Sequence, residues 1–337
     1  MYQAKIICDS VFPSSDARIT TFELTCPKMI VAEFNTHRRF SRNSASSRAI
    51  PIETVIKKIE TNPVIPLFAK NQKGMQGDET FFSDKDIEII KEQWLAARDA
   101  AVIEAKKLLN LGVHKQVVNR VLEPWMWTTI LCTSTYYDNF FILRYNKNAQ
   151  PEIRKLAELM YEQYINHMPD IKYQNNWHLP YIDSLTDREI DKYITAKRGS
   201  EIMPGINVYL NNNLNERDIL KLAISSARCA RVSYENQNQV RDISSDIELF
   251  TRLINGGHFS PLEHQAIYPD RYYESSVKDS MINKNGYGSE NGLNGNFHED
   301  LFQHRKLLPV YYGRHSDYDG HIDWAEASTD DIWWYNN

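Results

Sequence analysis

The longest regular pattern in the chain is a run of apolar residues at helical spacing that follows Ser83. Isoleucine, tryptophan, alanine and leucine recur every three or four positions from Ile87 to Leu109, which predicts a long amphipathic helix. Ser83 is a favourable N-cap, and Gly112 would end the helix. Ser245 would cap the last of four further helices, which the pattern predicts at 114–122, 150–167, 216–230 and 246–255.

The strand patterns are shorter than the helical ones. Residues 18–34 alternate between apolar and polar and then become apolar, with Pro27 in the middle, which predicts two strands or one bent edge strand. A run of aromatic and β-branched residues covers positions 125–143. Helices that alternate with a few strands indicate an α/β or α+β fold built on one sheet, and we expect a single domain over residues 1–337.

Residues 36–48 are unusually rich in cations and hydroxyl groups. They include four arginines, four serines, a histidine and an asparagine, directly after the apolar run 29–32, which we expect to be a strand that fixes the segment at a sheet end. Arginine forks and serine hydroxyls suit phosphate oxygens, so the segment predicts a site for a small anion. A solvated basic loop is the alternative reading.

Overall composition narrows the class of protein. With 39 basic and 44 acidic side chains, the formal net charge of −5 disfavours a dedicated binder of long nucleic acid. No apolar run approaches the roughly 20 residues of a spanning helix, and no secretory signal is visible, so we expect a cytoplasmic protein without a membrane partner. The four cysteines are far apart, which indicates a reducing compartment.

The spacing of residues 37–48, His-Arg-x-x-Ser-x-Asn-x-x-Ser-x-Arg, resembles the signature of the flavin-dependent thymidylate synthases. Thr36 stands where that signature opens with an arginine. Residues 118–124, in which Glu123 replaces a leucine, and residues 139–154 are similar to two further blocks of the family. Residues 227–234 and 257–264 resemble the segment that precedes the arginine motif in the usual family member, although here they follow it.

This order indicates a circular permutation, which is tolerated where the original termini are close together and exposed. The family-like blocks would be 17–167 and 215–267 in swapped order, with 168–214 and 269–296 as insertions. The resemblance implies the family's fold, a central and mostly antiparallel sheet with helices. Residues 286–296, rich in asparagine and glycine, are typical of a long loop or of a segment that a partner orders.

The resemblance also implies an activity and its residues. The reaction would be the reductive methylation of dUMP to dTMP, with FAD as cofactor and NADPH and methylenetetrahydrofolate as co-substrates, in a homotetramer with shared active sites. The implied catalytic residues are Arg144, at the uracil edge, and His258, near the flavin. The implied cofactor-binding residues are Thr36, His37, Arg38, Ser41, Ser44, Thr133, Thr135, Asn139 and Ser260. The implied dUMP-binding residues are Glu33, Asn35, Ser44, Ser46, Ser47, Arg48, Arg120 and Arg144.

Two positions depart from the family within this set. Glu33 stands where the family usually has glutamine, and Ser44 where it has glutamate. A carboxylate beside a phosphate repels it, so either Glu33 turns away, towards a ribose hydroxyl or Arg38, or the substrate differs. The alternatives are therefore flavin-dependent methylation or hydroxymethylation at C5 of another pyrimidine nucleotide, such as a cytosine one, and a non-catalytic nucleic-acid-binding protein.

Other cofactor classes have weaker support in the sequence. His258, Glu263 and His264 are close in sequence, but their spacing repeats no known zinc motif, so we expect no metal. The chain has no Gly-x-Gly-x-x-Gly signature. If FAD binds, it binds outside a Rossmann fold, as in the family that the chain resembles.

Overall fold

A computed structural model describes residues 1–71, 82–197, 214–234, 242–285 and 292–307. Its strands are β1 Gln3–Phe12, β2 Ala17–Pro27, β3 Ser41–Ser44, β4 Trp127–Ser134, β5 Asp170–Ile171, β6 Trp177–His178, β7 Ala266–Ile267 and β8 Phe302–Gln303. Its α-helices are α1 Val31–Phe34, α2 Ile52–Thr61, α3 Asp84–Asn110, α4 Lys115–Val118, α5 Asp138–Arg144, α6 Pro151–Asn166, α7 Ser184–Ala196, α8 Glu216–Arg231, α9 Ile243–Asn255 and α10 Arg271–Asn285. Short 3₁₀ helices cover Lys28–Ile30, Asn119–Trp125, Val232–Tyr234, Ser260–Glu263 and His304–Leu307.

The main sheet has five strands in the order β3-β4-β2-β1-β5. All its pairs are antiparallel except the short pair of β1 with β5. A smaller sheet joins β6, β7 and β8. The mixed α/β fold with a central and mostly antiparallel sheet is therefore confirmed.

The two faces of the main sheet differ in chemistry because side chains alternate along each strand. Phe22 and Leu24 of β2 and Cys132 of β4 face an apolar core shared with Phe140 of α5 and Leu156 of α6. Each large side chain buried in this way contributes about 2 kcal/mol. The opposite face carries Thr21 and Thr133, paired in register across β2 and β4.

The carboxyl-terminal part of the chain covers that polar face. Cys229 and Val232 pack against Leu131 of β4, and Phe297 packs in a cluster with Phe12 and Ile19 of β1 and β2. Residues of the carboxyl-terminal block therefore pack against the sheet that the amino-terminal block forms. The permutation itself, and the assignment of 168–214 and 269–296 as insertions, stay predictions.

A buried network of three charged side chains joins α8 and α9. The Asp246 carboxylate is fully buried and accepts hydrogen bonds from Arg228 Nε at 2.8 Å and from Arg231 Nη2 at 2.8 Å. Arg228 also donates to the Thr186 hydroxyl at 2.7 Å and to a backbone carbonyl. Because each group has partners, the network holds α7, α8 and α9 in one arrangement without leaving a bare buried charge.

The long helix predicted after Ser83 is confirmed as α3, with the Ser83 hydroxyl accepting from the Asp86 amide. The helices predicted at 150–167 and 216–230 are confirmed as α6 and α8. The last of the predicted helices, α9, starts three residues earlier than predicted. Its cap is Asp242, whose carboxylate accepts from the Ser245 amide at 2.9 Å, so the prediction of Ser245 as the cap was wrong.

Other predicted elements need correction. Residues 17–27 form one strand inside the sheet, and residues 29–32 lie in helical turns, so the predictions of a bent edge strand and of a strand before the motif were wrong. Proline cannot donate to a ladder, so Pro27 ends the strand. Residues 114–122 form only the short α4 followed by a 3₁₀ helix that contains Pro124.

The sequence patterns did not predict α10, which covers much of the proposed second insertion. Within the loop predicted at 286–296, residues 286–291 lie outside the described ranges and residues 292–296 form turns. No helix in the described ranges is both long and apolar enough to cross a membrane.

Candidate functional site

The arginine–serine segment is folded around Arg42, which lies on β3. Its guanidinium donates to the Asn35 side-chain oxygen at 2.8 Å, to the backbone carbonyl of Asn35 at 3.1 Å, and to the carbonyls of His37 and Phe40 at 3.1 and 2.8 Å. A guanidinium that closes a loop in this way is already satisfied. Arg42 therefore positions residues 35–40 and is not a free anion ligand.

Arg144, the last residue of α5, meets two residues of that loop. Its Nε donates to His37 Nε2 at 2.9 Å, and its Nη1 is ion-paired with the Glu33 carboxylate. The Arg144 and Glu33 side chains are 20% and 27% exposed, so the pair is accessible to a ligand at its rim. The structure thus brings together Glu33, Asn35, Thr36, His37 and Arg144, as the resemblance implies.

His37 is held in its neutral form. Burial lowers its pKa to about 4, and the positive charges of Arg144 and Arg42 act in the same direction. Its ring packs on Phe40 and against the edge of Phe140, with centroid distances of 5.7 and 4.9 Å. A neutral ring explains how Nε2 accepts from the Arg144 guanidinium.

Glu33 turns towards Arg144, and not towards Arg38 as one of our alternatives has it. Arg38 is exposed and has no hydrogen bond or ion pair with the described residues. Thr36 is exposed as well, although its hydroxyl donates to the Glu33 carbonyl at 2.7 Å. The Glu33 carboxylate and the Arg144 guanidinium therefore offer a hydrogen-bond acceptor and a donor, side by side, to a ligand at the rim of the site.

A second part of the site is the loop of residues 45–50, which follows β3 and is pinned from several sides. Asn119 is fully buried and donates to the carbonyls of Ser47 and Ile50 at 2.7 and 3.0 Å. The ammonium groups of Lys28 and Lys115 donate to the carbonyls of Ala45 and Ala49. The loop is therefore a fixed scaffold with cations around it.

Glu123 connects the candidate phosphate ligands of this loop. Its Oε1 accepts from the Ser47 hydroxyl at 2.6 Å and from Arg120 Nη1 at 2.9 Å. Arg48 lies beside Ser47 in sequence, is exposed, and has no hydrogen bond or ion pair with the described residues. Glu123 thus joins the buried Ser47 to the exposed Arg120, and Arg48 follows Ser47 in the loop. Ser46 is held through its amide, which donates to the Ser233 carbonyl at 3.0 Å.

Ser41 and Thr133, two of the candidate flavin ligands, lie in a buried polar row across the sheet. Thr133 Oγ1 is 2.7 Å from Thr21 Oγ1 and 2.8 Å from His264 Nδ1, and His178 Nε2 is 2.8 Å from Thr21 Oγ1. Ser41 donates to Asn296 Oδ1 at 3.0 Å. Both hydroxyls are thus occupied by protein partners, in contrast to the exposed residues of the arginine loop.

The histidines of this row are neutral. Burial lowers the pKa of His178 and that of His264 to about 3, and the mutual repulsion of two cations adds to the effect at His264. His264 contacts Thr133, whereas Glu263 is ion-paired with Arg305. Within the described ranges no group of three or more His, Cys, Asp or Glu side chains is arranged to hold a metal ion.

The remaining candidates lie apart or lack partners. Thr135 Oγ1 is buried without a hydrogen-bond partner among the described residues. Asn139, His258 and Ser260 are exposed, and the 3₁₀ helix that starts at Ser260 packs beside β3. Ser44, the last residue of β3, is half-buried.

Sequence reasoning assigned no role in the site to four residues that build it: Arg42, Asn119, His178 and His264. Arg42 stood inside the motif but between its fixed positions, and Asn119 preceded Arg120 without a signal of its own. His178 falls in a segment that matched no family block. Glu123 was visible as a departure from the family pattern, yet its contact with Ser47 joins positions 76 residues apart and follows only from the fold.

The fold and the site geometry together define an α/β protein with a cation-rich site around an arginine–serine loop. Residues 17–170 match the family model described as thymidylate synthase complementing protein. A flavin-dependent thymidylate synthase from Aquifex aeolicus is 27% identical over 158 residues, which are 46% of this chain and 48% of that protein. Residues 17–170 are therefore similar to the flavin-dependent thymidylate synthases. The chain spans about half the length of the curated relative, 48%.

Two solved structures were also compared, both of the UMP/dUMP methylase PolB from Streptomyces cacaoi. The one bound with 5-Br UMP has a TM-score of 0.37 and 16% identity, and covers 49% of this chain and 88% of that chain. The one bound with 5-Br dUMP has a TM-score of 0.34 and 22% identity, and covers 44% of this chain and 65% of that chain.

Proposed function

We propose that the protein is a flavin-dependent thymidylate synthase, which methylates dUMP at C5 with methylenetetrahydrofolate and NADPH. The observation that carries the proposal is the set of contacts around the arginine–serine segment. Arg144 is joined to Glu33 and His37 before β3, and Arg120 is joined through Glu123 to Ser47, the neighbour of Arg48, in the loop after β3. A nucleoside monophosphate would fit this arrangement, with the edge of its base at Arg144 and Glu33 and its phosphate near Arg48 and Arg120.

The phosphate end would be read by Arg48, Arg120 and Ser47. Two guanidinium groups and a hydroxyl supply the donors that a dianion needs, and Asn119 keeps the loop in place through two backbone carbonyls. Arg48 would contribute most, because it has no competing partner among the described residues.

The base end would be read by Arg144 and Glu33. The guanidinium donates and the carboxylate accepts, so the pair matches a base edge with an acceptor next to a donor, such as O4 and N3–H of uracil. Neutral His37 keeps Arg144 in position through the 2.9 Å hydrogen bond. A fixed cation near the edge would stabilise negative charge that develops on the base during attack from C5.

FAD fits the exposed face of the arginine loop better than the buried row. Arg38, Thr36 and Asn139 are exposed and would hold its phosphates or ring edges, with His258 and Ser260 as further contacts. The hydroxyls of Ser41 and Thr133 are occupied by protein partners, so these two would act by supporting β3 and β4. When bound, FAD would relay reducing equivalents from NADPH and supply the hydride that completes the methyl group.

A different pyrimidine nucleotide is the second candidate substrate. The Glu33 and Arg144 pair also matches cytosine, whose N4 amino group would donate to the carboxylate while N3 accepts from the guanidinium. The product would then be a C5-methyl or C5-hydroxymethyl cytosine nucleotide. A homotetramer with shared active sites remains an expectation from the family resemblance, and a cytoplasmic location remains an expectation from the sequence.

Product analysis tests this proposal. FAD-loaded protein is incubated with NADPH, methylenetetrahydrofolate and either dUMP or dCMP, and the nucleotide products are separated and weighed by mass spectrometry. Thymidine monophosphate from dUMP supports the proposal. A C5-modified cytosine nucleotide would transfer it to the second substrate, and no change in either nucleotide would refute both.

A further inference from the structure

Glu123 occupies the position that a phosphate ligand would take between Ser47 and Arg120. Its carboxylate receives a hydrogen bond from each of them, at 2.6 and 2.9 Å. Ser47 is buried, whereas the Glu123 side chain is 22% exposed and that of Arg120 is 57% exposed, so a soluble ligand can reach the contact from the Arg120 side.

The surrounding charges favour an anion at this point. Lys28 and Lys115 contact the loop carbonyls, and Arg48 and Arg120 lie at its exposed side. Glu123 is the carboxylate that contacts the candidate phosphate ligands themselves, since it binds the Ser47 hydroxyl and the Arg120 guanidinium together. The Glu123 carboxylate accepts hydrogen bonds from the Ser47 hydroxyl and the Arg120 guanidinium, as a phosphate oxygen would.

We infer that Glu123 is an internal counter-ion that competes with the phosphate of a ligand for Ser47 and Arg120, and so sets the selectivity of the site for phosphate-bearing ligands. The inference rests on the proposed function for the identity of the nucleotide, but not for the competition itself. A ligand phosphate must displace the carboxylate or bind beside it, and two adjacent negative charges repel one another.

The electrostatic effect should be specific to the phosphate. Replacing Glu123 by glutamine keeps an acceptor oxygen for Ser47 and Arg120 and removes one negative charge. At a half-exposed site, removing one such charge strengthens the binding of a dianion by about tenfold. A nucleoside without phosphate should bind equally well to both proteins, because it brings no charge to that end of the site.

Calorimetric titration of the full-length, FAD-loaded protein tests this at fixed ionic strength. Wild type and E123Q are titrated with dUMP, deoxyuridine and inorganic phosphate, and thermal melting checks that both are folded. The control is E158Q, because Glu158 forms an equivalent pair with Lys155 three residues before it, at 2.7 Å, on α6.

We expect E123Q to bind dUMP and inorganic phosphate about tenfold more tightly, with deoxyuridine unchanged and E158Q equal to wild type. Unchanged or weaker phosphate binding in E123Q would overturn the inference, as would an equal gain for deoxyuridine. If inorganic phosphate binds more tightly to E123Q while dUMP binds no better than phosphate, the counter-ion role stands and the proposed nucleotide is wrong. No phosphate binding by either protein overturns both.

Discussion

The buried histidines should make the fold sensitive to mild acid. Three histidines in the described ranges, His178, His264 and His304, are fully buried, and burial lowers the pKa of each to about 3. In the unfolded chain an ordinary histidine takes up a proton near pH 6.5. As the pH falls below that value, the unfolded state therefore binds protons that the folded state does not, and stability is lost.

The size of the loss follows from the two pKa values. For one histidine, lowering the pH from about 7.5 to about 5 costs about 2 kcal/mol, and for three independent histidines about 6 kcal/mol. A typical domain has roughly 5–15 kcal/mol of stability. The protein should therefore lose much of its stability by about pH 5, a range in which paired carboxylates are still ionised.

Chemical denaturation at several pH values between about 5 and 7.5 measures this dependence. H264Q cannot take up the proton, so its free energy of unfolding should be lower at neutral pH but should vary less steeply with pH, by about one proton. The exposed His114 provides the control, and H114Q should keep the steep dependence of wild type. Equal slopes for wild type and H264Q would refute the reasoning.

Two further predictions concern the site. R48A should abolish nucleotide binding while FAD stays bound, because Arg48 is the exposed cation of the phosphate loop; loss of FAD alone, measured by absorbance, would contradict this. R144A should still bind nucleotide but turn it over much more slowly, by about a hundredfold, as for the loss of one transition-state donor; unchanged turnover in a steady-state assay would remove Arg144 from the catalytic residues.

Local patterns predicted the elements that depend on local chemistry. The helical spacing after Ser83 and its hydroxyl were enough for α3, since the cap and the apolar positions lie within the helix itself. By contrast, residues 29–32 have a strand-like composition, and only the packing of Ile30 and Phe34 in the core shows that they are helical turns.

The site was predicted as a set of residues, but not as a set of contacts. Glu33 was recognised as a departure from the family, yet its ion pair with Arg144 joins residues 111 positions apart. Thr133 matched a cofactor position, while the fold gives its hydroxyl to Thr21 and His264. Contacts of this kind follow from how strands and covering segments meet, which a single sequence does not reveal.

The most direct test of the account is an absorbance titration. The purified protein is mixed with FAD, freed of excess cofactor, and titrated with dUMP while the flavin band is recorded. We predict a yellow protein whose flavin band shifts and saturates with dUMP, and an R48A variant whose band does not respond. A protein that retains no flavin, or a band that ignores dUMP at every concentration, would contradict the assignment of the arginine–serine site to a flavin-dependent thymidylate synthase.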